Sequence, residues 1–257
     1  KSRWERINTH ILKQIIIKSH LVSYYTNGNG EHAVIFLHGW RSEAAVWFPL
    51  FQNLKLLNSL NFKLCALDLP GFGKSETPKH PFTLQDYADI VQEFAYTLNP
   101  KRYSLIIVGH SFGARVAVKL AATNPELVEK LVLVASGGAP IYGARRAVLG
   151  GLAKLAKPFF KPGFMRPLRK KIYQALGAED YVATPELKET LLNIINEDLT
   201  PLFPKIAAPT LIVWGENDTE APVAYGKEMH QMIRGSRLIT IKNAGHFSFL
   251  DQPEEFI

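Results

Sequence analysis

Cysteine is nearly missing from this chain. Cys65 stands alone among 257 residues, which excludes an intrachain disulfide and with it the small cysteine-stapled secreted scaffolds. It lies in the apolar run Leu64-Cys65-Ala66-Leu67, so a buried structural thiol is expected. Long hydrophobic runs are missing too: nothing approaches the roughly 18–20 apolar residues of a membrane-spanning helix. The opening residues Lys1 to Arg6 mix charges and lack the pattern of a signal peptide. Internal repeats and low-complexity tracts are absent. Acidic residues are missing from one long stretch, between Arg145 and Lys171, which holds nine basic residues while the whole chain carries a net charge of +7. The remainder is therefore slightly acidic, and no nucleic-acid-binding motif accompanies the basic run.

What is present is ample apolar material, 47% of the chain, enough for a sizeable core in one large α/β domain. Ile15–Ile17 and Leu21–Tyr25 read as two strands, followed by a turn over 26–30, with residues 1–10 as an appended arm. Ala33–Leu37, Phe62–Leu67, Leu105–Val108, Leu131–Ala135, Thr210–Trp214 and Leu238–Ile241 are continuous apolar runs. Such runs suit strands buried on both faces. Helical patterns separate them, over Ala45–Leu60, after a Thr83 cap, after Ser111, and near Val223–Ile233. That alternation predicts a mostly parallel, doubly wound sheet. The interval 138–205 breaks the rhythm with helical patches and no strand, and reads as a helical insertion after the sixth strand. The core would then comprise 1–137 and 206–257. Pro253 to Ile257 looks like the beginning of a helix.

Two phosphate-loop lookalikes fail. Gly73-Lys74-Ser75 has the tail of a P-loop, but Asp68 stands where that motif needs glycine. Gly28-x-Gly30 precedes a strand instead of joining strand to helix. A third glycine pattern is in the right setting. Gly109-His110-Ser111-Phe112-Gly113 lies between an apolar strand and an apolar helix, where G-x-S-x-G holds its serine exposed on a tight turn. Ser111 is the candidate nucleophile, and a serine nucleophile needs a base that is itself oriented by an acid. Of eight histidines, His10, His20, His32, His80 and His230 fall in arms, turns or a surface helix. His38 and His110 sit at strand ends, suited to holding loops by hydrogen bonds. His246, in Asn243-Ala244-Gly245-His246-Phe247, follows the last strand, at the edge where open α/β sheets bind ligands. Asp218 follows the preceding strand, with Glu216 as competing acid, and Asp68 reads as a loop brace.

With serine, acid and histidine in that order, each after a different strand, the chain resembles the α/β-hydrolase family over nearly its whole length. It resembles in particular the capped, serine-nucleophile, esterase- and lipase-like branch. The elbow around Ser111, the loop His38-Gly39-Trp40, the segment Asp68–Ser75 and the insertion all carry the likeness. The resemblance implies a triad of Ser111, Asp218 and His246, with an oxyanion hole from the backbone N–H groups of Trp40 and Phe112. It implies acyl transfer through an acyl-enzyme, with neither metal nor organic cofactor. Ala114 departs from a glycine common among relatives.

His38, Gly39, His110, Phe159 and Phe160 are the candidate substrate-binding residues. Apolar residues of the insertion fit either an acyl pocket or packing onto the sheet. The basic run fits a solvated face, an attractor of anionic substrate, or weak contact with an acidic membrane surface. The expected partner is a small acyl compound, anionic if the basic run steers it, on a cytoplasmic monomer or homodimer that binds no nucleic acid. A small carboxylic ester is the first reading of the substrate, with lactone opening or carbon–carbon hydrolysis as alternatives. A ligand sensor with slow turnover is the reading from another class.

Overall fold

A computed structural model of the chain describes residues 11–53, 61–98, 105–137 and 184–257. The expected arm over 1–10, the later part of the helix expected up to Leu60, and 138–183 of the insertion, with Phe159 and Phe160, lie outside them. Eight strands form one sheet: β1 Ile11–Ile17, β2 His20–Asn27, β3 His32–Leu37, β4 Phe62–Leu67, β5 Leu105–His110, β6 Val128–Val134, β7 Thr210–Gly215 and β8 Arg237–Ile241. Their order is 1-2-4-3-5-6-7-8, antiparallel from β1 to β4 and parallel from there on. The doubly wound, mostly parallel sheet read from the apolar runs is therefore the observed one.

The strand order dictates where the helices go. From β3 the chain steps to β4 on one side, then crosses back to β5 on the other. Right-handed crossovers then put α1 Phe48–Asn53 on one face, and α2 Leu84–Leu98 and α3 Phe112–Thr123 on the opposite face. The packing agrees: α2 lies on α3, while α1 meets α6 Ser248–Asp251 and α7 Pro253–Phe256, the helices that follow β8. α4 Lys188–Asn196 and α5 Ala224–Met232 flank β7 in sequence. All parallel strands point the same way, so the loops after β3, β4, β5, β7 and β8 emerge along one edge.

Local chemistry explains the elements. Thr83 and Asp86 cap α2 reciprocally: the Asp86 N–H donates to Thr83 Oγ1 at 3.3 Å, and the Thr83 N–H to Asp86 Oδ2 at 2.7 Å. In α3, Ala114, Ala117 and Ala121 are small enough to let the helix lie close on the sheet, and all three are buried. β1 and β2 begin earlier than their apolar cores suggested, because they form an edge hairpin whose outer residues stay exposed. Lys18 and Ser19 make its two-residue turn with φ of 47° and 66°, the left-handed pair that matches strand twist. The helix expected from Ala45 starts as a 3₁₀ turn over Ala44–Trp47 before α1. Cys65 is buried as expected, and burial pushes its thiol up to about 12. Among the described residues no helix is long and apolar enough to cross a membrane.

One charge sits where the pattern calls for an apolar residue. Arg115 in α3 is only 3% exposed. Its Nη1 donates to the Gly137 carbonyl at 2.8 Å, and its Nη2 to the carbonyls of Ile194, at 2.8 Å, and Glu197. The guanidinium thus joins the helix after the candidate nucleophile to the chain leaving β6 and to the end of α4. Burial lowers its pKa to about 10, against the pull of Glu197 and Asp198. Arg115→Met keeps the stem's bulk and strands those carbonyls. Urea unfolding should show a loss of about 2–4 kcal/mol.

Candidate active site

Ser111 turns the chain from β5 into α3 with φ 51° and ψ −111°, a conformation that L-residues rarely adopt. Its neighbours explain how the turn is tolerated. A Cβ on Gly113 would fall 2.4 Å from the Leu37 carbonyl oxygen, and one on Gly109 would fall 2.6 Å from Ala114 Cα. Only glycine permits both approaches. The Ser111 N–H donates to the Val134 carbonyl at 2.9 Å, fixing the tip between β5 and β6. Phe112 opens α3, so its N–H is among those a helix start leaves unpaired.

The loops after β7 and β8 are joined by their backbones. The Glu216 N–H donates to Ile241 at 2.9 Å and the Asn217 N–H to Ala244 at 2.8 Å. This brings Asp218 to His246, with His246 Nδ1 at 2.9 Å from Asp218 Oδ2. The other Asp218 oxygen accepts the N–H groups of Glu220 and Ala221, both at 2.9 Å. Burial pushes the Asp218 carboxyl up, but the His246 hydrogen bond and those two amides together hold it below the usual carboxylate range. Asp218 stays ionised, so Nδ1 carries the imidazole proton and Nε2 keeps its lone pair. Glu216, the competing acid, instead accepts the Asn243 N–H at 3.4 Å. Asp251, which the sequence did not single out, supports the same loop by accepting the Gly245 N–H at 2.7 Å.

His110 links the serine turn to the histidine loop. Its Nε2 lies 3.0 Å from the His246 carbonyl, which only accepts, so Nε2 carries the proton. The two imidazole rings are 4.7 Å apart. No hydrogen bond joins Ser111 Oγ to another described residue. His246 Nε2 faces Glu220 Oε2 at 3.9 Å instead. The serine–histidine bond expected from the sequence is therefore not drawn in this conformation, and such bonds commonly tighten only around substrate.

Gly39 brings the loop after β3 against this group. A Cβ there would meet His110 Nδ1 at 2.9 Å and Ser111 Cβ at 3.4 Å. The Trp40 ring packs edge-on against Phe112 at 5.3 Å and Phe72 at 4.8 Å. Beside it, a depression of about 660 Å³ is lined by Arg41, Ser42, Glu43, Val46, Phe72 and Thr184. His38 and His110 are 0% and 1% exposed, so both hold loops from within. Leu69 donates to His38 Nε2 at 3.0 Å, which leaves Nδ1 to donate to the Gly39 carbonyl at 2.7 Å. Asp68 braces its loop as expected, accepting the N–H groups of Ala44 at 2.7 Å and Lys74 at 2.9 Å.

Both buried rings are held neutral. Burial lowers His38 to about 4, against its Gly39 bond. Burial, helped by the neighbouring His246, lowers His110 to about 3. The unfolded chain protonates each near pH 6.5. Their contribution to stability is therefore complete above about pH 6.5 and is lost as the pH falls toward 4, by about 1.4 kcal/mol per histidine per pH unit. Urea-unfolding midpoints should fall between about pH 7 and pH 5, and less steeply in His38→Gln.

Known proteins resemble this chain over nearly its whole length. The chain is 30% identical to a pimeloyl-[acyl-carrier protein] methyl ester esterase of Nitrosomonas europaea, over 90% of this chain and 95% of that protein. It is 26% identical to a 2-hydroxy-6-oxononadienedioate/2-hydroxy-6-oxononatrienedioate hydrolase of a Pseudomonas species, over 89% and 86%. The crystal structure of the enol-lactonase from Burkholderia xenovorans LB400 shares its fold, with a TM-score of 0.71 at 24% identity, over 95% of this chain and 96% of that one. The sequence profile of the alpha/beta hydrolase family matches residues 34–257. With that match running from β3 through the serine turn to both loops that follow β7 and β8, the chain belongs to the alpha/beta hydrolase family.

Proposed function

We propose that this protein is a serine hydrolase of small carboxylic esters, working through an acyl-enzyme on Ser111. The observation that carries the reading is the 2.9 Å hydrogen bond from His246 to the ionised Asp218, on a loop bonded directly to the Ser111 turn. With Nδ1 committed to Asp218, Nε2 takes the Ser111 proton as the hydroxyl attacks the acyl carbonyl, then returns it to the leaving oxygen. Asp218 stabilises the imidazolium formed between those steps. The N–H groups of Trp40 and Phe112 receive the oxyanion, each worth about 3–4 kcal/mol of transition-state stabilisation. Water activated by His246 then releases the acyl group. Residues 138–205 are the cap in this reading, over a core of 1–137 and 206–257.

Similarity to the methyl ester esterase favours an ester substrate, and the nine basic residues in 145–171 suit an anionic one. A panel of p-nitrophenyl and methyl esters, varied in acyl length and terminal carboxylate, tests this. Sustained turnover supports the enzyme, whereas a single slow burst with a ligand-induced melting shift supports a sensor. If half-esters of dicarboxylic acids gain nothing over neutral esters, the basic run does not steer substrate. Cleavage of a vinylogous diketone without ester turnover would favour the carbon–carbon reading, for which the likeness to the Pseudomonas hydrolase speaks.

A further inference from the structure

Glu220 stands beside the imidazole of His246. His246 Nδ1 is held by Asp218 at 2.9 Å, so Nε2 is the ring nitrogen that handles the reacting proton. Glu220 Oε2 lies 3.9 Å from that Nε2, on a side chain that is 66% exposed. Its backbone is fixed, because the N–H groups of Glu220 and Ala221 both donate to Asp218 Oδ1 at 2.9 Å. The carboxylate is thus carried by the same turn that carries the acid. Among the described residues, the titratable groups bonded to the same turn or ring leave its charge in place. Asp218 is buried and occupied by His246, His110 is held neutral, and Glu216 turns to the Asn243 N–H.

A leaving oxygen must come within about 3 Å of Nε2 to receive its proton. Substituents one or two carbons further out then fall within a few ångströms of Glu220 and of its negative charge. We propose that Glu220 selects the leaving group by charge, favouring esters of cationic alcohols, such as quaternary amino alcohols, over neutral ones and disfavouring esters of anionic alcohols. The inference rests on the serine hydrolase reading and adds to it the chemistry of the alcohol side. It concerns the alcohol side of the ester alone.

The test compares acetate esters of choline, 3,3-dimethylbutanol and 2-hydroxyethanesulfonate, matched in shape and differing in charge, by acid release in a pH-stat. The expected kcat/KM ratio of cationic to neutral ester is about five-fold, and that of neutral to anionic ester is similar, both shrinking as salt is raised. In Glu220→Gln both ratios should fall to near one, in Glu220→Lys they should invert, and Glu220→Asp should retain the original order. Because each result is a ratio within one variant, a general loss of activity or stability does not produce it. Ratios unchanged between wild type and Glu220→Gln overturn the proposal while leaving the hydrolase reading intact. No turnover of any of the three, or of p-nitrophenyl acetate, overturns both.

Discussion

Ser111→Ala is expected to lower kcat/KM for p-nitrophenyl butyrate by about 10⁴-fold or more, leaving at most the weak catalysis of a bare oxyanion hole. The size follows from the mechanism: without the hydroxyl no acyl-enzyme forms, and His246 and Asp218 have no proton to move. The fold should not notice. Alanine keeps the Cβ, which is what makes a φ of 51° unfavourable, and Ser111 Oγ has no hydrogen bond to lose among the described residues. Equal unfolding midpoints with abolished turnover separate a lost nucleophile from a lost structure. Turnover within ten-fold of wild type would remove Ser111 from the chemistry.

Asp218→Asn should cost nearly as much, about 10³–10⁴-fold in kcat, with a smaller change in KM. The amide keeps an oxygen for the Glu220 and Ala221 N–H groups, so the loop holds its shape. Its NH₂ then points at His246 Nδ1, which must accept instead of donating. The imidazole proton moves to Nε2, and the base loses the lone pair it needs. Glu216→Gln should stay within a few-fold of wild type, because that carboxylate serves the Asn243 N–H.

The serine turn and the parallel sheet were legible because their chemistry is local, and Asp218 and His246 because a serine nucleophile calls for an acid and a histidine after later strands. A glycine-flanked serine between an apolar strand and an apolar helix has few other uses, and buried parallel strands announce themselves as unbroken apolar runs. Where chemistry depended on distant partners, the sequence was silent. Arg115 interrupts an apolar helix face, which is a signal, but its partners at Gly137, Ile194 and Glu197 lie up to 82 positions away. Glu220 looks like any loop carboxylate until the β7 and β8 loops meet. The apolar run of β6 starts only at Leu131, because Glu129 and Lys130 break it, whereas the pairing begins at Val128. His110 shows the same limit differently. Its place at a strand end marked it for holding loops or facing substrate, and only the folded sheet put its Nε2 on the His246 carbonyl.

The mechanism makes Ser111 an acylated residue. Incubating the protein with a fluorophosphonate and locating the adduct by peptide mass spectrometry tests that directly. One phosphonyl group per chain is expected, on the peptide carrying Gly109-His110-Ser111-Phe112-Gly113, with labelling much slowed in Asp218→Asn and ester turnover lost in step with labelling. Continued ester hydrolysis with Ser111 unmodified, or stoichiometric labelling at another residue, would contradict it.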